Sequence, residues 1–378
     1  MRRIWVSLGL LAWVWGISPA IADSVLVNDA ATLAAALAVM PKDGGVIELA
    51  PGSYGDLVLD QTFSQGITLR STLPQQAIFA DINLVGAANL HFEGISAAKF
   101  SLTQKAQHIT LTGAAIHGVL YVKSSSDVVI EGNDIDGDLH AVLLNSVHRF
   151  VVRGNRIHDA TEDLMRITGD SAEGVVEENQ FYDMHPEDHR AAHKGYNHAD
   201  AIQMFGVKGV TPNHIVIRRN HIYDDPKTGA DTTTPQGIFL SDPAPDGYRD
   251  ILIEENLICV RSPNSIYING GKSNVVVRNN TLIPGAGDGG GVIRVVDRRG
   301  LGNSGLTITG NVMKALDDKA HSAKIGRNYI YGRNMPLQRL FSGDGKQWQD
   351  FVPQKGTRFD IGLGYGAQTY LSDLLAGR

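Results

Sequence analysis

The segments VVIEGNDI (128–135), FVVRGNRI (150–157) and GVVEENQF (174–181) repeat one pattern, and this repeat decides the fold. Each copy is an alternating apolar strand followed by an asparagine and, two residues later, by another apolar residue. The pattern returns at 215–222, 251–258, 275–282 and 306–313, so that successive asparagines are 22, 24, 41, 36, 24 and 31 residues apart. A unit of about 22 residues cannot bury its own apolar face, which predicts a stack of coils whose strands pair with the next coil.

The repeated asparagine is predicted to lie at a sharp bend between strands. We expect it to adopt the left-handed backbone of that bend and to bond, through its amide, to the asparagines above and below. The longer spacings indicate coils that carry an inserted loop. Degenerate copies at 66–72, 89–95 and 108–114 extend the stack towards the N-terminus.

Over roughly residues 25–315 the chain resembles the pectin-lyase-like family of right-handed parallel β-helices. The Ala-rich segment 29–40 suits a helix that caps the open end of the stack, and 44–59 resembles the first coil of that family. The resemblance implies an all-β solenoid: a β-helix domain over 23–315, with the capping helix at its start, and an irregular C-terminal tail over 316–378. Within the tail, residues 370–378 are expected to form a short helix over the last coil, which would protect an exposed sheet edge.

Residues 1–22 have the features of a cleavable export signal. Arg2 and Arg3 precede an apolar stretch, 4–17, and Ala20-Ile21-Ala22 supplies the small-residue cleavage pattern. The apolar stretch is too short to span a membrane. We therefore expect a periplasmic or secreted protein that does not insert into a membrane.

The formal net charge of −6 argues against a general nucleic-acid binder. We also expect the protein to be a monomer. The single cysteine, Cys259, lies in the apolar run 251–260 and can form no intramolecular disulfide. We expect it to be a small core residue rather than a nucleophile.

A second strand follows the asparagine bend in each coil, at 141–145, 163–168, 200–205, 236–241, 264–269 and 292–297. Alternation along these strands directs one set of apolar side chains inward, namely Ile202, Met204, Ile238, Leu240, Ile266 and Ile268. It directs a second set outward, here called the outward column: Leu143, Arg166, Gln203, Phe239, Tyr267 and Arg294. The strand starts add a strand-start column of Asp163, Asp200, Gln236 and Asn264. Cationic, amide and aromatic side chains on rigid strands predict a sugar-binding groove; the alternative is an ordinary solvated sheet face.

The longest insertion, 183–200, is predicted to border this groove. It contains four histidines, at 185, 189, 193 and 198, together with Arg190, Lys194 and Tyr196. Three interpretations stay open: acid–base catalysis, metal binding without any recognised zinc spacing, or a hydrated loop.

Lyase chemistry on a uronic acid needs a group that neutralises the carboxylate, a base and an acid. The candidate catalytic residues are His198, Lys194, Tyr196 and Arg166. The candidate substrate-binding residues are Gln203, Tyr267, Arg294, His193 and Arg190. Asp163 and Asp200 are candidate ligands of a Ca²⁺ ion.

These residues resemble the inventory of β-helix alginate lyases, chondroitin-cleaving lyases and mannuronan epimerases. The sequence 197–200, Asn-His-Ala-Asp, departs from the Asp-Pro-His-Asp motif of the epimerases. We therefore predict an exported lyase that cleaves an anionic, uronic-acid-containing polysaccharide by β-elimination. The alternatives are a glycoside hydrolase that uses Asp163 and Asp200, a C5-epimerase, and a non-catalytic carbohydrate-binding adhesin.

Overall fold

The computed structural model describes residues 24–40, 44–186, 199–223, 235–241, 248–285, 289–297, 300–357 and 364–378. These residues form a right-handed parallel β-helix, as the repeat predicts. In chain order the strands are β1 (Ser24–Val27), β2 (Gly45–Leu49), β3 (Gly52–Leu59), β4 (Thr62–Ser71), β5 (Ala77–Val85), β6 (Ala88–Glu93), β7 (Ser96–Thr103), β8 (Gln107–Thr112), β9 (Ala115–His117), β10 (Leu120–Glu131), β11 (Asp134–Asp136), β12 (Val142–Arg153), β13 (Arg156–Ala160), β14 (Met165–Thr168), β15 (Ala172–Glu177), β16 (Gln180–Met184), β17 (Asp200–Phe205), β18 (Asn213–Arg218), β19 (His221–Tyr223), β20 (Gln236–Leu240), β21 (Tyr248–Glu254), β22 (Leu257–Val260), β23 (Ile266–Ile268), β24 (Lys272–Arg278), β25 (Thr281–Pro284), β26 (Val292–Val295), β27 (Thr307–Thr309), β28 (Val312–Met313), β29 (Ala315–Asp318), β30 (Lys324–Ile325) and β31 (Tyr329–Ile330).

The strands stack into three parallel sheets that share one interior. Sheet A runs through β1, β2, β4, β6, β8, β10, β12, β15, β18, β21, β24, β27 and β30. Sheet B runs through β9, β11, β13, β16, β19, β22, β25, β28 and β31. Sheet C runs through β7, β10, β12, β14, β17, β20, β23, β26 and β29, and the long strands β10 and β12 bend from sheet C into sheet A. At the N-terminal end β3, β5 and β7 pair with one another in the same way.

Asparagines form a continuous hydrogen-bonded column, the Asn ladder, at the bend from sheet A to sheet B. Its members are Asn133, Asn155, Asn179, Asn220, Asn256, Asn280, Asn311 and Asn328. Each backbone N–H donates to the Oδ1 of the next asparagine at 2.9–3.1 Å, and each Nδ2 donates to the same oxygen at 2.9–3.0 Å. The predicted ladder is confirmed, and it continues to Asn328.

The expectation that the asparagine itself is left-handed is wrong. The residue before it carries the positive φ, as at Gly154 (63°), Glu178 (57°) and Glu255 (53°). Because that residue makes the turn, the asparagine that follows directs its amide into the buried ladder, where Asn155 is 1% exposed.

A short helix covers the N-terminal end of the stack. The predicted capping helix is confirmed as α1 (Ala30–Val39), which begins at an Asp29–Thr32 capping box. Leu33, Ala36 and Leu37 are its buried residues, and α1 contacts β1 and β3.

The C-terminal segment, described over residues 337–357 and 364–378, covers the outer face of sheet B. It contains two 3₁₀ turns, Leu337–Arg339 and Trp348–Phe351, and the helix α2 (Gln368–Leu375). The segment packs on outward apolar side chains of β22, β25 and β28, which include Cys259, 3% exposed. Cys259 is therefore buried as expected, although under this segment and not inside the coil.

The terminal helix does not lie where the sequence analysis placed it. It packs beside Arg219, which pairs with Asp373 at 3.2 Å and lies over the ring of Tyr370. The helix covers the side of sheet B instead of the last coil, because the outward apolar residues of that sheet need cover. This arrangement leaves sheet C as the face on which the polar columns lie.

Candidate active site

The outward column on sheet C has the predicted register. Leu143 pairs with Arg166, Arg166 with Gln203, and the pairing continues through the later members of the column. The six side chains predicted to point inward are 0% exposed. Because strand neighbours are about 4.8 Å apart, each member lies directly beside the next on a rigid surface.

Each member of the strand-start column lies three residues before a member of the outward column, and Asp163, Asp200 and Gln236 are buried. Asp163 and Asp200 are each 0% exposed, and the backbone N–H of Asp200 donates to Oδ1 of Asp163 at 2.8 Å. Asp200 pairs in register with Gln236, whose Oε1 accepts a hydrogen bond from Asn264. The predicted alignment of these four residues is confirmed.

Each buried carboxylate holds one polar member of the outward column. The Nε of Arg166 donates to Asp163, and its Nη2 donates to Glu162 at 3.0 Å. The Nε2 of Gln203 donates to Asp200 at 2.8 Å. Charge-assisted bonds of this kind are the strong ones in proteins, so the two head groups are fixed in place.

The pKa of Asp163 is raised to about 7, chiefly by burial and then by the neighbouring charge of Asp200. The nearby guanidinium of Arg166 opposes the rise without cancelling it. Two buried carboxyl groups in contact cannot both ionise easily, so one proton is retained near neutral pH. Perturbed carboxyl groups of this kind are common at functional sites.

His140 belongs to this network and was missed by the sequence analysis. It occupies the position of Asp163 one coil earlier, and its Nε2 lies 3.3 Å from Oε2 of Glu162. Burial, followed by the charge of Arg166, lowers its pKa, so the ring is neutral at neutral pH. Extending the strand-start column by one coil would have found it.

Five of the predicted site residues belong to the long insertion. Arg190, His193, Lys194, Tyr196 and His198 lie outside the described residues. His185, at the start of the insertion, is described and directly follows β16 of sheet B.

Among the described residues, Asp159, Asp183 and His185 form a group able to hold a metal ion. The Nε2 of His185 is 3.2 Å from Oδ1 of Asp159 and 3.3 Å from Oδ1 of Asp183. A mixed nitrogen and oxygen set favours an ion such as Zn²⁺ over Ca²⁺, which prefers oxygen alone.

The Asp163–Asp200 pair fits Ca²⁺ less well than the sequence analysis expected. Three donors of the protein already bond to the carboxylate oxygens of the pair: Arg166, Gln203 and the Asp200 N–H. A Ca²⁺ ion takes six to eight oxygen ligands, whereas these donors already occupy three of the four carboxylate oxygens of the pair.

The residues from 102 to 313 match the family described as "Right handed beta helix region". This match covers more than half of the chain, and the protein belongs to that family. No curated protein matches the sequence. Within the described residues, no helix is long and apolar enough to cross a membrane.

Several solved structures share the chain path. An alginate lyase from Paenibacillus sp. strain FPU-7 is 16% identical, with 78% of this chain and 99% of that chain covered and a TM-score of 0.44. The Azotobacter vinelandii mannuronan C-5 epimerase AlgE4 A-module is 11% identical, with 80% and 90% covered and a TM-score of 0.49. The Streptococcus pneumoniae surface protein and adhesin PfbA is 9% identical, with 79% and 91% covered and a TM-score of 0.47. Similarities at this level assign no activity to the present chain.

Proposed function

We propose that the protein is an exported enzyme that cleaves a uronic-acid-containing polysaccharide by β-elimination on the outer face of sheet C. The observation that carries the proposal is the guanidinium of Arg166, which is fixed on that face by Asp163 and Glu162. It lies in one register with an amide, two aromatic rings and a second arginine, Arg294. Such a face can hold a carboxylate through its guanidinium groups and can bond to sugar hydroxyls through its amide.

Elimination begins with neutralisation of the substrate carboxylate, which makes the adjacent proton removable. Arg166 can supply this neutralisation. Its Nε and Nη2 donate to the carboxylates of Asp163 and Glu162, whereas in the described part of the chain its Nη1 makes no hydrogen bond. Gln203, beside it, can bond to a second oxygen of the sugar.

The base and the acid are proposed to come from the 183–200 insertion, with His198, Lys194 and Tyr196 as candidates and Arg190 and His193 as further substrate contacts. The insertion leaves sheet B after β16 and re-enters the stack at β17, directly beside Arg166 and Gln203. His140 is a positioning residue in this scheme, because it contacts Glu162 and Glu162 in turn holds Arg166.

Hydrolysis by Asp163 and Asp200 is less well supported. Both carboxylates are 0% exposed and accept hydrogen bonds from the protein, so neither faces a substrate. An acid–base pair for hydrolysis must flank the scissile bond. Epimerisation shares the proton-removal step with elimination, and the two are separated by their products.

The test is incubation of the purified protein with a panel of polyuronates, read by ultraviolet absorbance and by reducing ends. β-Elimination gives both signals, because each cleavage creates an unsaturated uronate and a new end. Arg166→Ala should lower the rate by about 10²-fold or more, and Arg166→Lys should lower it less, because it keeps the charge and loses the fork.

Arg249→Ala is the matched control, because Arg249 is exposed on sheet A and lies away from the outward column. It should leave the rate unchanged. Reducing ends without absorbance would make the enzyme a hydrolase, while a change of sugar configuration without cleavage would make it an epimerase. Polymer binding with no chemistry on any polyuronate would favour the adhesin.

A further inference from the structure

A cavity of about 260 Å³ lies at the C-terminal end of sheet C. Its lining includes Arg294 from β26 and Asp317 from β29, which pair in register. Lys314, just before β29, and Arg333, beyond β31, complete its charged lining. Val292 contributes an apolar wall, so the cavity is a formed pocket in the sheet face.

Apart from Lys314, the lining carries the guanidinium groups of Arg294 and Arg333 against one carboxylate, that of Asp317, in a protein whose formal net charge is −6. Asp317 is shared between two cations, because its Oδ2 lies 3.1 Å from Nε of Arg294 and 3.7 Å from Nζ of Lys319. Its negative charge therefore does not serve Arg294 alone. A concave site with an excess of one charge concentrates ligands of the opposite charge.

The guanidinium of Arg294 is oriented and only partly used. Its Nε donates to Asp317 at 3.1 Å, and its side chain is 27% exposed. Within the parts of the chain that the structure describes, Nη1 and Nη2 of Arg294 make no hydrogen bond. The edge of a guanidinium with two available N–H groups matches a carboxylate in a bidentate pair.

Arg294 lies in the same outward column as Arg166, four strand steps further along the axis. At about 4.8 Å per step the two arginines are roughly 19 Å apart. Phe239 and Tyr267 fill the interval, with their rings stacked in parallel at 4.4 Å between centroids. A single extended polymer along the sheet can therefore reach both arginines.

We propose that this cavity is a distal subsite that binds the carboxylate of a uronate unit in a polymer whose reacting unit lies at Arg166. The inference rests on the proposed function for the class of polymer. It adds that the protein holds its substrate over at least five coils, and that long chains bind better than short ones.

The experiment measures binding and turnover separately in the full chain, with Arg294→Ala and Arg333→Ala as the test variants. Arg333 is exposed and comes from a different segment, so its replacement keeps the experiment informative if Arg294→Ala fails to fold. Arg249→Ala, which removes an exposed arginine from sheet A, is the matched control. The probes are an acidic polyuronate, neutral dextran, sulfated dextran and inorganic phosphate.

We expect both test variants to bind the polyuronate at least about tenfold more weakly, with neutral dextran unaffected and Arg249→Ala like the wild type. In turnover, KM for long oligouronates should rise by a similar factor, and the rise should be smaller for oligomers too short to reach from Arg166 to Arg294. Phosphate should not compete at millimolar concentration, since one small anion lacks the remaining contacts of the polymer.

Wild-type polyuronate binding in both variants would overturn the subsite. So would a loss confined to sulfated dextran, or efficient competition by phosphate. If the wild-type protein cleaves no polyuronate, the proposed function fails; the subsite still stands if polyuronate binding falls in the variants. The two failures are therefore distinguishable.

Discussion

Two polar columns run along the same solenoid, and they are built in opposite ways. The Asn ladder repeats one residue, whereas the strand-start column, extended by His140, reads His140, Asp163, Asp200, Gln236 and Asn264. An amide both donates and accepts, so the side chains in a row of asparagines can hydrogen-bond to one another. A carboxylate only accepts, so the side chains of Asp163 and Asp200 cannot bond to each other as asparagines do. Besides the Asp200 N–H, their donors are Arg166 and Gln203 on the outer face.

The difference separates a structural column from one that can serve chemistry. The Asn ladder is closed within the interior and has no group that titrates near neutral pH. The strand-start column contains a carboxyl group whose pKa is about 7, and its charges determine the positions of solvent-facing head groups. Substitutions in the two columns should therefore have different consequences: loss of stability in one, and a change of titration and activity in the other.

The largest expected effect on stability comes from a purely structural group, His221. Burial lowers the pKa of this ring to about 4, and its Nε2 donates to the Gly345 carbonyl in the C-terminal segment. The folded pKa lies below the ordinary 6.5, so the stabilisation is complete above pH 6.5 and is lost as pH falls through 4. The loss amounts to roughly 3 kcal/mol.

His221→Gln removes this titration and keeps a donor for the Gly345 carbonyl. Its stability should change less than that of the wild type between pH 7 and pH 4, as measured by urea unfolding. Hydrogen exchange of the wild type at pH 4 should show the C-terminal segment opening first. Parallel pH profiles of wild type and variant would contradict this role.

In the Asn ladder, Asn179→Ala should destabilise the fold by about 1–3 kcal/mol, because it leaves buried partners unsatisfied. Asn179 accepts from Asn155 and donates to Asn220 and to the carbonyl of Val152. Activity per folded molecule should be unchanged. A melting temperature equal to that of the wild type would show that the ladder contributes no stability.

In the strand-start column, Asp163→Asn should change the pH dependence of stability. The folded pKa is raised from 3.8 to about 7, so the contribution of the wild-type carboxyl is present below pH 3.8 and is lost as pH rises through 7. The variant should gain stability relative to the wild type from pH 4 to pH 8. A constant difference across that range would show that Asp163 has no raised pKa.

The smallest expected effect is that of His140→Gln, which keeps a donor beside Glu162. If His140 only positions Glu162 and Arg166, kcat should fall by a few fold while KM and the melting temperature change little. The acidic limb of the pH–rate profile should flatten, because glutamine, unlike the histidine that it replaces, does not titrate. A loss of activity as large as that of Arg166→Ala would show instead that His140 contacts the substrate.

The repeat made the stack, the Asn ladder and both polar columns predictable, because alternation and pairing fix which residues share a face. His140 escaped because the strand alignment began one residue later, at Ala141. The cover on sheet B was also predictable from the sequence. LICV (257–260) and LIP (282–284) are apolar at successive positions, which indicates strands buried on both faces. The insertion at 183–200 has no repeat partner, so no register places its side chains.

The most direct test of the account compares Arg166→Ala with Asn179→Ala on the polyuronate that the wild type cleaves. The measurement is the initial rate of unsaturated product per folded molecule, with the folded fraction taken from circular dichroism. The account predicts a loss of about 10²-fold or more per folded molecule for Arg166→Ala, and an unchanged rate for the folded fraction of Asn179→Ala. A folded Arg166→Ala variant that forms unsaturated product at the wild-type rate would contradict the placement of the active site on sheet C.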